Sequence, residues 1–117
     1  QNTLAPWAEA IRAVAAETET PLIDLNASSA DLVQSLGPLD AARLSPGAPP
    51  PDFAPALLAG NTPPTPPAAT PPVSAHGHHV DDFDYTHLGP DGAAVIAALV
   101  ARDLIAVAPD LAPRLVP

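Results

Sequence analysis

The sequence predicts an α/β protein, and three observations carry that expectation. A helix, a short apolar run and a second helix follow one another over residues 1 to 44. The run Pro21-Leu22-Ile23-Asp24-Leu25 does not alternate, which suits a strand buried on both faces of a parallel sheet. A last helix with a clear apolar stripe nears the end of the chain. Helix, strand, helix is the order of α/β folds. A lone strand leaves its backbone groups unpaired, so the other strands are expected on sequence outside this chain.

Each element has its own signals. Thr3 is placed to cap the first helix, Pro6 sits in its first turn, and Trp7, Ile11 and Val14 share one face. The helix should run from Leu4 to Glu17, with Trp7 in the core. Asn26 or Ser28 is expected to cap the second helix, which carries Leu32, Val33 and Leu36. Gly37-Pro38 closes it in the usual order. Residues 45 to 75 hold most of the prolines, few charges and no helical or strand periodicity. Consecutive prolines remove backbone donors and fix φ, so this stretch reads as a polyproline or irregular insertion. Phe53, Leu57 and Leu58 are candidates to tack its first half onto the body. Residues 76 to 117 contain a His- and Asp-rich loop and then the last helix, over 90 to 107. Pro90 opens that helix, Asp91 complements its dipole, and Pro109 stops it. Ile96, Leu99, Val100, Leu104 and Val107 form its stripe.

Composition excludes several functions. The chain has 117 residues, 18 of them Pro, and a net charge of −9 from 13 acidic residues against four Arg. Nucleic acid is not an expected partner, since phosphate backbones demand a basic footprint. No apolar run approaches the roughly 20 residues of a membrane-spanning helix. The absence of Cys removes disulfides and thiol catalysis. The chain starts at Gln1 and holds no Met, which leads to the expectation of a piece of a longer protein.

Chemistry concentrates in residues 76 to 91, where four His and four Asp stand within sixteen positions. Asp84 precedes His87 by three residues in a loop just upstream of a helix. That spacing lets the carboxylate reach Nδ1 of the imidazole, fix its tautomer and stabilise the imidazolium. Nε2 is then left to take a proton from a nucleophile, so His87 would act as general base and then general acid. Activity of such a site should rise through neutral pH as the imidazole loses its proton. Asp81 and Asp82 compete with Asp84 for the orienting place. Tyr85 and Phe83 are candidate walls of an acyl or sugar pocket, one of them belonging to the core.

Asp84-Tyr85-Thr86-His87-Leu88-Gly89-Pro90-Asp91-Gly92-Ala93, followed by an apolar helix, resembles the last sequence block of the SGNH (GDSL-type) hydrolases. Within them it looks most like the rhamnogalacturonan acetylesterase group, which shows D-x-T-H and then Gly-Ala opening a C-terminal helix. The segments around Trp7, Ile11, Arg12 and Val14, and then Pro21 to Leu25, agree with that group. The resemblance covers all of the chain except the Pro-rich stretch.

It implies the C-terminal part of a three-layer α/β/α sandwich with a parallel sheet. It implies a secreted or periplasmic carbohydrate acetylesterase that needs no cofactor. His87 matches the family's catalytic base and Asp84 its partner carboxylate. The nucleophilic Ser and the oxyanion-hole Gly and Asn belong to earlier blocks absent here, so the expected partner is an N-terminal segment of the same protein. This chain alone should be inactive and should fold poorly. Two departures stand out. Residues 45 to 75 look like an insertion, and Gly89 replaces the more usual polar cap, softening the helix start by roughly a few tenths of a kcal/mol.

The competing expectation is a non-catalytic binding module. His76, His78 and His79, with Asp81 and Asp82, are candidate ligands for Zn²⁺, Ni²⁺ or Cu²⁺. Adjacent His78 and His79 point opposite ways in extended chain, so at most two of the three imidazoles would converge. In that reading the prolines would recruit a protein partner.

Overall fold

The computed structural model describes residues 4–63, 83 and 87–115. Four α-helices organise them: α1 (Ala5–Glu17), α2 (Leu25–Ala41), α3 (Phe53–Leu58) and α4 (Pro90–Val107). Short 3₁₀ helices follow at Ala42–Leu44 and Pro109–Arg114. The chain divides into two compact units, one of Gln1–Leu32 with Ile96–Pro117 and the other of Val33–Val95.

Among the described residues there is no strand and no sheet, so the expected α/β sandwich with a parallel sheet is not the fold. The local reason lies in residues 21 to 25. Pro21 has no N–H to give to a ladder, and no second strand offers itself. Leu25 turns into the first residue of α2. Asp24 becomes the helix cap: its Oδ1 accepts the Ala27 N–H at 3.1 Å, and its carbonyl accepts the Ser28 N–H at 3.0 Å. The cap therefore falls two residues before Asn26, the earlier of the two positions read from the sequence. Leu22 and Ile23 are half-buried, not buried on both faces.

In the unit of Gln1–Leu32 with Ile96–Pro117, α1 starts without a side-chain cap at Leu4, whose carbonyl accepts the Trp7 and Ala8 N–H groups. Thr3 lies outside the described residues. The helix ends in a Schellman turn. The Thr20 N–H donates to the Ala15 carbonyl and the Glu19 N–H to that of Ala16, while Glu19 takes the left-handed φ of 52°. The Thr18 hydroxyl adds a bond to the Val14 carbonyl at 2.8 Å. Arg12 then ties α1 to the start of α2, its Nε donating to Asp24 Oδ2 at 2.5 Å and a terminal nitrogen to Oδ1 at 3.1 Å. The fork matches the carboxylate plane and holds it for capping.

The residues of α1 with partial burial are Ala8, Arg12 and Ala15, along one side of the helix. The apolar side is uncovered, and Trp7 is 73% exposed, with Leu4, Ile11 and Val14 exposed beside it. Trp7 is thus a surface residue, contrary to the expectation from helical spacing. Spacing reports which residues share a face, whereas the Arg12–Asp24 pair decides which face is used. On α4, Leu99 is buried and Ile96, Val100 and Leu104 are half-buried, as the stripe predicts; Val107 is exposed.

In the unit of Val33–Val95 the core is Ala42, Phe53 and Phe83, with Leu57 packed against them. The two rings meet edge to face, centroids 5.5 Å apart at 71°. Phe53 and Leu57 belong to α3, a helix inside the stretch that reads as irregular from its composition; Leu58 points outward. Only Pro55 falls within those six residues, so the stretch can close one turn and a half there. α2 breaks at Gly37, which adopts φ 71° and ψ 170°, before Pro38 begins a last helical turn. A side chain at that φ would be strained.

Two expectations follow. Phe53→Ala should lower the stability of its unit by about 3–5 kcal/mol, read as a drop in the urea midpoint. Acid should loosen α2 from its start. Arg12, and then the Ala27 N–H, hold the Asp24 carboxyl below its ordinary value. A lowered carboxyl stabilises the fold fully above the ordinary Asp value of about 3.9, and that stabilisation is lost as pH falls through the lowered one. Helical circular dichroism should therefore fall below about pH 3.9, and Asp24→Asn should blunt that pH dependence.

Candidate active site

His87 and Phe83 are the sequence-derived site residues whose surroundings the structure describes, Phe83 as both core and cavity wall. Asp84, Tyr85, His76, His78, His79, Asp81 and Asp82 lie outside the described residues. His87 is exposed and stands three residues before Pro90, the first residue of α4. It opens onto a cavity of about 480 Å³ in the unit of Val33–Val95. Phe53, Leu57, Phe83 and Leu88 supply apolar wall, and Val33, Pro38 and Leu44 complete most of the rest. Among the described residues, Ser45 and Thr62 are the other polar side chains along it, and none that lines it is charged.

Two anchors bracket the stretch that bears His87. Upstream, Phe83 is buried against Phe53. Downstream, the Gly89 N–H donates to the Leu44 carbonyl at 2.8 Å, and the Gly89 carbonyl accepts the Ala93 N–H at 2.8 Å. His87 therefore stands between two fixed points that are close together in sequence.

The downstream anchor is a contact of backbone on backbone. A Cβ at Gly89 would stand 2.6 Å from the Ser45 carbonyl oxygen and 2.9 Å from Pro46 Cα. A Cβ at Gly92 would overlap the Leu44 carbonyl oxygen and come within 2.9 Å of Leu44 Cα. Such distances are closer than real Cβ contacts, so both positions exclude any side chain. Gly89 is therefore more than the softened cap it resembles in the sequence. It lets the start of α4 lie against Leu44–Pro46, and it donates the hydrogen bond that holds it there.

An imidazole at the mouth of an apolar cavity suits proton transfer to or from an uncharged ligand. The cavity wall from Val33, Pro38, Ala42, Leu44 and Leu57 was not legible as part of a site. Its one sequence signal was Gly92, a glycine one turn into a helix otherwise rich in Ala and Val. Among the described residues no group of three or more His, Cys, Asp or Glu could hold a metal. Nor is any described helix long and apolar enough to cross a membrane.

Gly92→Ala should push Leu44 off the start of α4 and break the hydrogen bond two residues beyond His87. Hydrogen exchange at the Gly89 amide checks this: protection should be lost in Gly92→Ala while amides in the middle of α1 keep theirs. No family model, curated protein or solved structure matches this chain.

Proposed function

We propose that this chain supplies the acid–base half of a serine ester hydrolase site of the SGNH type, acting on acetylated carbohydrate. His87 is the base and Asp84 its orienting carboxylate. The nucleophilic Ser and the oxyanion donors come from an N-terminal segment of the same protein. The observation that supports the reading best is the placing of His87, at the mouth of an apolar cavity between the Phe83 and Gly89 anchors.

The chemistry asks little more of these residues. His87 Nε2 takes the proton of the Ser hydroxyl as its oxygen attacks the ester carbonyl. The imidazolium, steadied by Asp84, then returns that proton to the departing sugar oxygen, leaving an acyl-serine. In the second half His87 takes a proton from water, which attacks the acyl group. Collapse of that adduct frees the acid and restores the Ser hydroxyl. The apolar wall shields the reacting centre from bulk water, where electrostatic stabilisation is weaker.

In protein that includes the Ser-bearing part, His87→Ala should lower kcat/KM for an acetyl ester by about 10²–10⁴-fold. Helical circular dichroism should not change, because His87 is exposed. Hydrolysis undiminished in that variant would end the esterase reading.

A further inference from the structure

The uncovered side of α1 is an apolar feature that the proposed site does not use. Leu4, Trp7, Ile11 and Val14 follow one another at helical spacing and are all exposed. Beside them Pro21 and Leu22 form the far wall of a groove of about 450 Å³ that also reaches Thr18 and Thr20. An exposed apolar strip of this kind marks an interaction surface. Its dimensions, one apolar stripe along one helix and a groove beside it, fit an amphipathic helix laid into the groove.

Charge narrows the occupant. Arg12, the only cation of α1, is held by Asp24 and Glu9. Glu17 and Glu19 flank Thr18 at the end of the groove, and neither makes an ion pair among the described residues. The lining Thr18 thus stands in sequence between two exposed acidic residues, while the cation of α1 is already engaged. A second copy of this chain, at net charge −9 and without Lys, would bring more negative charge to that end. We propose that the α1 groove binds a partner helix with one apolar face and Arg or Lys at its end, and not a second copy of this chain. The proposal stands on α1 and residues 18 to 22 alone, and holds whether or not His87 is a base.

Trp7 is the only Trp of the chain, so its emission reports on this groove and nothing else. The test titrates the full chain with two synthetic helical peptides, each carrying Leu along one face. One ends in Arg residues and the other in Glu residues. The Arg-ended peptide should shift Trp7 emission to the blue and bind about tenfold tighter than the Glu-ended one, as two opposed charge pairs near a surface allow. Glu17→Lys combined with Glu19→Lys should reverse the preference. Ile11→Asp should abolish the shift while helical circular dichroism is retained. Equal binding of both peptides, or none, would overturn the proposal. So would a blue shift on raising the chain's own concentration without peptide, accompanied by dimer in sedimentation.

Discussion

The contact of Gly89 and Gly92 with Leu44–Pro46 sets the geometry around His87. Backbone meets backbone there, with no room for a Cβ at either glycine. The hydrogen bond from Gly89 to Leu44 then fixes the chain two residues beyond the imidazole. Remove the contact and the start of α4 is free to swing, and His87 with it. The Phe53–Phe83 pair does the same work upstream through apolar packing. One anchor is directional and the other is not. Together they hold the chain on either side of His87 without any large core behind it, for among the described residues the apolar cluster of that unit is Ala42, Phe53 and Phe83 with Leu57 against them.

In the other unit a charge pair works beside the apolar packing around Leu99. Arg12 and Asp24 are both partly exposed, so the pair is screened and is worth less than a buried one. Its effect is structural more than energetic: it orients the carboxylate that caps α2, and it selects the Ala8–Arg12–Ala15 side of α1 for contact. The apolar side of α1 is left outward as a consequence. The Ser28 hydroxyl and then Arg102 hold the Asp103 carboxyl below the ordinary value, so it too favours the folded chain at neutral pH and less so in acid.

Local signals were legible and nonlocal ones were not. The span of α1 was read as Leu4 to Glu17 and is Ala5–Glu17, and α4 was read over its observed range, Pro90–Val107. Pro in a first turn, helical spacing and a Pro stop all act within one or two turns. The break at Gly37 was legible for the same reason. Pro21 to Leu25 misled because an apolar run of that length states only that it seeks cover. Whether it becomes a strand depends on a neighbour, and with none present Asp24 is drawn into capping. Trp7 misled in the same way. α3 is hidden by the prolines around it; of its candidate tacks Phe53, Leu57 and Leu58, the first two pack inward and Leu58 is exposed. His87 stands out in the sequence by its spacing to Asp84, which lies outside the described residues. The cavity beside His87 does not, since its walls come from α2, α3 and the turns between them, which no single motif joins.

Ester hydrolysis by Gly92→Ala, in protein that carries the Ser-bearing part, tests the central claim most directly. That substitution leaves His87 and Asp84 untouched and removes only the close approach that positions the loop. A displacement of about 1 Å is enough to cost roughly 10²-fold in rate, so, on the proposed esterase reading, kcat for an acetyl ester should fall by about that factor with KM little changed. A Gly92→Ala enzyme with wild-type kcat would contradict the account, because His87 would then be placed by something other than this contact.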